Sequence, residues 1–296
     1  MTLAEKLASG RVLVSDGAWG TFLHGMGLGP GECPELWNIT HREAVLSIAG
    51  SYVEAGSDII ETNSFGGSGI KLAGYGLGFR ASELNEAAAA ISAEAAGKDV
   101  TVGGSVGPTG KLLFMEEISW QEMYDSFAEQ CLALEKGGAS MLIIETMTAL
   151  DEAICAVKAA RENTRCTVAL TMTFSATPAG EYRTMMGVSP AEMVADAVSA
   201  GADIVGSNCG NGIAAMTGIV EAIRSANNTV PILIQANAGV PQYSDGKTVF
   251  RETPEMMASF VPELVKAGAS IIGGCCGTTP SHIRAIAAAA ANCRYK

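Results

Sequence analysis

Eight times along this chain a short apolar run gives way to a longer amphipathic or alanine-rich stretch. Runs of this length suit buried strands, and parallel strands need crossover connections, usually helices, between them. The apolar runs are Val12–Ser15, Ile59–Asn63, Val100–Ser105, Met141–Ile144, Thr167–Phe174, Asp203–Gly206, Pro231–Gln235 and Ser270–Gly274. The helical stretches are His41–Ala55, Ser82–Ala96, Trp120–Lys136, Leu150–Asn163, Ser189–Ala200, Ile213–Ala226, Pro254–Ala267 and His282–Ala291. Ser82 reads as an N-cap, and Pro190 takes the early helical position that proline favours. Ala18–Asn38, rich in Gly, Pro and Trp, reads as an extended loop.

Eight such units are the count that closes a (β/α)₈ TIM barrel, so the expected fold class is α/β, with one domain over residues 1–296. A doubly wound open sheet is the alternative. It usually has fewer units and a glycine-rich nucleotide turn, and neither G-x-G-x-x-G after the first strand nor a Walker motif occurs here. The length of 296 residues does not force a split, and no linker-like break in composition interrupts the pattern. Hydrophobic residues at 48% and charged residues at 17% suit a large buried core.

A net charge of −12 with no basic cluster argues against a nucleic-acid partner. No apolar run is long enough to cross a membrane as a helix, and the polar start Met1–Lys6 lacks the pattern of a signal peptide. The expected location is cytoplasmic, where thiols stay reduced.

Eight cysteines matter in that light. Cys131, Cys155 and Cys166 lie in apolar contexts and read as buried small residues, and Cys293 lies near the chain end. Cys33 lies in the loop outside the strand-end pattern and is not expected to be a ligand. Cys209, Cys275 and Cys276 differ, since all three sit at strand ends beside glycine. A barrel gathers its strand ends on one face, so the sixth and eighth strands would bring these sulfurs together across the seventh. Adjacent cysteines are poorly placed for a disulfide with each other. Three thiolates with one exchangeable position match an open, catalytic zinc site. Such a site activates a thiol or a water. Hydrolysis would call for a general base or harder ligands, and His24, His41 and His282 all lie away from strand ends. Other polar residues at the same face are Asp16, Glu61-Thr62-Asn63, Ser105, Glu145-Thr146, Asn208 and Asn237.

The motifs Asp16-Gly17-Ala18-Trp19-Gly20-Thr21, Ala55–Phe65, Gly104–Gly110, Ile144–Met147, Gly206–Gly210, Ala236–Pro241 and Gly273–Gly277 together resemble the homocysteine S-methyltransferase family, in order and over nearly the whole chain. That resemblance implies a zinc-dependent barrel with Cys209, Cys275 and Cys276 as ligands and catalytic centre, and the sulfur of homocysteine or a related thiol as incoming ligand. It implies Asn237 near the metal, filling the fourth position when substrate is absent, and Asp16 and Glu145 around the substrate ammonium. Gly17, Thr62, Asn63 and Ser105 complete the expected substrate site. The glycines beside the cysteines are expected to leave room for metal and substrate.

The methyl donor is open at this stage. The phrasing of Asp58–Phe65 and Ser105–Gly110 looks similar to the homocysteine domain of cobalamin-dependent methionine synthases. The chain has no room for the other domains of such an enzyme, so a methylcorrinoid is expected on a separate partner protein. The alternatives are direct transfer from betaine or S-methylmethionine, as in other members, or a component role in a corrinoid-dependent demethylation system with another acceptor. An aromatic over the site could stabilise an onium donor by cation–π attraction, with Trp37, Trp19, Tyr182 and Tyr243 as candidates.

Overall fold

The computed structural model describes residues 1–244 and 247–295. Eight parallel strands form its centre: β1 Leu13–Val14, β2 Ile59–Glu61, β3 Thr101–Val106, β4 Met141–Met147, β5 Thr167–Met172, β6 Ile204–Gly212, β7 Ile232–Asn237 and β8 Ile271–Gly274. Each pairs with its neighbour in sequence, and β8 pairs with β1 through Leu13–Ile271 and Val14–Ile272. A parallel bridge between Ser15 and Ile59, with the Asp58 N–H donating to the Val14 carbonyl at 2.7 Å, joins β1 to β2. The sheet thereby curls into a (β/α)₈ barrel.

The surrounding helices are α1 Arg42–Glu54, α2 Ala81–Ala96, α3 Trp120–Gly137, α4 Leu150–Asn163, α5 Pro190–Ala200, α6 Ile213–Ala226, α7 Pro254–Ala267 and α8 Pro280–Ala290. Ser119 and Ser189 build capping boxes with Glu122 and Glu192, satisfying N-terminal amides of α3 and α5. Ser82 is not an N-cap. The helix begins one residue earlier, after Arg80, and the Ser82 hydroxyl instead donates to Glu129 of α3 at 2.7 Å. The barrel interior is closed by Leu13, Ile59, Met141, Ile143, Ala169, Ile204, Leu233 and Ile271, all fully buried. Burying each of the larger aliphatic side chains contributes about 1.5–3 kcal/mol. Strand β3 supplies no side chain here: its Gly103 admits Ile143, whose Cδ1 lies 2.7 Å from where a Cβ would sit. A short N-terminal helix, Leu3–Ala8, packs Leu3 against this cluster at the end opposite the site, and Lys6 donates to the Asp99 carbonyl.

One glycine is indispensable to closure. A Cβ on Gly206 of β6 would lie 1.8 Å from the Leu233 carbonyl oxygen of β7, and backbone inside a closed sheet cannot move aside. Gly206→Ala is expected to destabilise by about 4 kcal/mol through overpacking, read by chemical denaturation. Gly20→Ala, with nothing within 4 Å, should change stability little.

The loop 18–38 is more ordered than its composition suggests. It contains a helix at Gly20–Gly25, a 3₁₀ turn at Pro34–Leu36 and the start of a further turn at Trp37–Thr40. Small antiparallel ribbons decorate the loops after β5 (Ser175–Ala176 with Tyr182–Arg183) and β7 (Gln242–Ser244 with Lys247–Val249). Among the described residues no helix is long and apolar enough to cross a membrane.

Candidate active site

The Cys209 sulfur lies 4.0 Å from that of Cys276, and the Sγ atoms of Cys209, Cys275 and Cys276 all fall within 4.8 Å of one another. The backbone that presents them is specialised. Cys209 takes a left-handed conformation, φ 59°, where β6 slips register against β7 between Asn208 and Gly212. A non-glycine residue there is strained, which is characteristic of functional positions. Asn208 anchors that turn: its Oδ1 accepts from the Thr146 N–H and the Thr171 hydroxyl, both at 2.8 Å. Its Nδ2 donates to Glu145 at 3.1 Å and to the Thr146 hydroxyl at 2.7 Å. Thr146 is itself left-handed, φ 60°. One amide thus couples the Cys209 turn to the Glu145 turn.

The cysteine pair is fixed from the other side. Thr278 donates to the Cys275 carbonyl at 2.7 Å and accepts from the Ala18 N–H at 3.0 Å. The flanking glycines serve this packing and do not leave the open room expected of them. A Cβ on Gly273 would meet the Ser15 hydroxyl at 1.9 Å, and one on Gly274 would meet Thr278 at 2.4 Å. Their purpose is close approach of β1 and of the turn after β8. A Cβ on Gly277, at φ 80°, would meet the Phe250 ring at 2.2 Å.

These sulfurs border a cavity of about 280 Å³ at the C-terminal mouth of the barrel. Gly17, Trp19, Glu61, Thr62, Asn63, Ser105, Glu145 and Gln235 also line it. No Lys, Arg or His is among its described lining residues. Hydrogen bonds among the thiols, Cys275 foremost, draw the Cys209 pKa down to about 3, while the same contacts hold Cys275 well above the usual thiol range and push Cys276 up to about 12. The cluster thus holds one negative charge readily and the further ones only with a cation present. The donor set suits a zinc ion, which deprotonates the thiols that bind it. The buried Asn237 side chain stands on the adjoining strand end with its Oδ1 unpartnered, and it helps draw the Cys209 pKa down.

Three carboxyls are buried beside the sulfurs. Burial foremost, with Glu145 nearby, raises Asp16 to about 7, against the pull of the Glu61 N–H at 2.8 Å and the Trp19 indole at 2.9 Å. Burial and the Cys209 charge raise Glu145 to about 7, opposed chiefly by the Ser105 hydroxyl that donates to it. Glu61 is pushed well up, by burial first and then by both neighbouring acids. It accepts from the Gln235 amide at 2.6 Å.

Of the expected substrate residues, Gly17, Thr62, Asn63, Ser105 and Glu145 line the cavity. Asp16 lies behind them, fully buried, with Oδ1 unpartnered. The Asn63 amide turns away to Pro34 and Asn38, and the Thr62 hydroxyl is paired with Ser64. Trp37 does not cover the site: it is buried and stacks on His41 with centroids 4.2 Å apart. Trp19 is the tryptophan at the cavity. Tyr182 packs its hydroxyl toward Gly218 of α6, and Tyr243 is exposed on its ribbon, so neither lines the cavity. Cys33 is buried with its thiol 3.3 Å from Glu35. His282 caps α8, and His24 pairs with the Leu28 carbonyl. The sequence places Glu61 on the strand-end face without assigning it a role, and Gln235 is missed. The signal for Gln235 is a polar break in the apolar run of β7.

Comparison with known proteins adds the following. The family model for homocysteine S-methyltransferases matches residues 13–290. The methionine synthase of Mycobacterium leprae is 31% identical over 98% of this chain, and that of Mycobacterium tuberculosis is 31% identical over 99%. The chain spans about a quarter of the length of these relatives, 25% and 26%. Among solved structures, the metallated form of the Escherichia coli homocysteine methyltransferase MmuM superposes with a TM-score of 0.79 at 21% identity, covering 97% of this chain and 99% of that one. At that identity the likeness speaks for the fold. With the family model matching from β1 into α8, the chain belongs to the homocysteine S-methyltransferase family.

Proposed function

We propose that this chain is a zinc-dependent methyltransferase that converts homocysteine to methionine, with the methyl group delivered by a methylcorrinoid on a protein segment outside these residues. The observation that carries the reading is three thiols within 4.8 Å at the wall of a cavity with buried carboxyls and, among its described lining residues, no basic side chain. Such a cavity suits a cationic amine beside a thiol. Cys209, Cys275 and Cys276 would hold the metal, with Asn237 near the fourth position in the absence of substrate. Zinc in this ligand set supplies the Lewis acidity that keeps an acceptor thiol deprotonated at neutral pH.

The chain's own residues then bind and orient. Asp16 and Glu145 offer oxygens to the substrate ammonium, and Ser105 holds Glu145 in place. Trp19 fixes Asp16 through its indole N–H. The acceptor thiol gives its proton to solvent. Its sulfur forms the new S–C bond as the methyl carbon leaves the donor, and the bonding pair stays with the donor. The donor must approach through the mouth. Exposed Phe114 and Met115 after β3, Met185 after β5, and Val240 and Tyr243 after β7 give that rim an apolar character suited to a docking protein. The methionine synthase relatives, about four times longer than this chain, supply the analogy for such a donor.

A donor panel tests the reading. Methyl transfer to homocysteine is expected from methylcobalamin and to exceed that from betaine or S-methylmethionine. Faster turnover with either onium compound would replace the corrinoid donor. Binding of zinc and thiol without turnover from any of the three would instead favour a component acting on another acceptor.

A further inference from the structure

The cavity offers more hydrogen-bond acceptors than Asp16 and Glu145 alone. Gln235 on β7 and Glu61 on β2 lie 174 positions apart in sequence and meet across the barrel mouth, Gln235 Nε2 donating to Glu61 Oε1 at 2.6 Å. That bond fixes the orientation of the Gln235 amide and leaves its Oε1 as a buried acceptor without a partner. Gln235 is 2% exposed and Glu61 6%, yet both line the cavity. The Asp16 Oδ1 beside them is equally unpartnered. Buried acceptors are rarely left unsatisfied, and when several converge the missing partner is a donor. A cationic donor with more than one N–H fits here, because carboxyls surround the acceptors and no basic residue is among the described lining residues.

We propose that Glu61 and Gln235 form a third acceptor face for the α-ammonium of the acceptor amino acid, completing with Asp16 and Glu145 a site that selects amino-acid thiols over simple thiols. This inference rests on the reading of the cavity as an amino-acid thiol site. An ammonium has three N–H donors, and the three faces provide one acceptor set for each. The role of Glu61 is binding and selectivity, with no part in moving the methyl group. Glu61 and Glu145 both line the cavity, so one small cation there can reach the two acids.

The test uses zinc-loaded protein and two ligands of one shape: homocysteine, and 4-mercaptobutanoate, which keeps the thiol and carboxylate and lacks the amine. Dissociation constants are measured by calorimetry for wild type, Glu61→Gln and Gln235→Leu. Each substitution is expected to weaken homocysteine about 30-fold, the scale of one hydrogen bond to a charged group. Binding of 4-mercaptobutanoate should stay nearly unchanged. Equal weakening of both ligands, or undiminished homocysteine binding, overturns the proposal. Zinc content and circular dichroism establish that each variant is folded, and either variant alone suffices if the other fails. The parent reading fails differently: wild type would then bind homocysteine no better than 4-mercaptobutanoate.

Discussion

Cys209→Ala is expected to release the metal and to lower methyl transfer to homocysteine by about 10³-fold or more, the worth of several kcal/mol of metal stabilisation. The reason is geometric. Cys209 is the one sulfur supplied by β6, while Cys275 and Cys276 come from the end of β8. Its removal leaves two adjacent thiols, which cannot close a three-sulfur set. It also removes the sulfur whose thiolate the neighbouring thiols favour by hydrogen bonding. Metal analysis should find about one zinc per wild-type chain and almost none in the variant. Cys33→Ala is the control: its sulfur faces Glu35 and belongs to no three-residue cluster among the described residues, so zinc should be retained. Zinc bound at full stoichiometry by Cys209→Ala would sink the three-thiol assignment. Restoration of the strain-free backbone by alanine does not offer another explanation. Alanine keeps a Cβ, so the left-handed φ of 59° remains as costly as before.

The barrel was legible because its signals are local. Each strand announces itself as an apolar run of a few residues, and each helix as a longer patterned stretch closed by glycine or opened by Ser or Thr. Eight repeats of that unit leave few ways to bury both faces of the strands. The meeting of Cys209 with the Cys275–Cys276 pair was legible for the same reason. Strand ends in a closed barrel share one face, and alternate strands lie near each other there. Boundaries were less so. The Ser82 cap failed because Glu129 on α3 offers its hydroxyl a partner that sequence neighbours do not reveal.

What the sequence hid depends on contacts across the barrel. The glycines at 273 and 274 seemed to make space, but they let Ser15 and Thr278 approach. Nothing local to Gly273 distinguishes the two. Trp19 and Trp37 lie in one loop of similar composition, and only the helices formed within that loop decide which ring faces the cavity. The pairing of Glu61 with Gln235 is the extreme case, since Gln235 lies outside the motifs and its contact with Glu61 exists only once the barrel closes. Asn208 is similar: it stands in a recognisable motif, yet its work is to tie the Glu145 turn to the Cys209 turn.

Glu145→Gln is expected to lower kcat/KM for homocysteine by about 10²–10³-fold, because removing one charge of a buried charged pair costs about 3–4 kcal/mol. The loss should fall mainly on KM, and zinc should remain, which separates this variant from Cys209→Ala. Asp16 adds a pH signature. Its pKa is raised to about 7, foremost by burial, so in the free protein it is half protonated near neutrality. An ammonium ligand prefers the ionised form. For metal-free protein, binding of 2-aminobutanoate, an amino acid with no thiol to titrate, should therefore weaken as pH falls below about 7, by up to tenfold per unit. Stability of the unliganded, metal-free protein runs the other way. Asp16 titrates near 3.8 when unfolded and near 7 when folded, so between those values the folded state holds the extra proton. The stability contributed by that proton is full below about pH 4 and is lost as pH rises toward 7. Asp16→Asn should reduce both dependences and leave the part that comes from Glu145 and Glu61, whose pKa values burial also raises. Binding of 2-aminobutanoate that is independent of pH between 5 and 8 in wild type would rule out Asp16 as part of the ammonium site, whatever the zinc does.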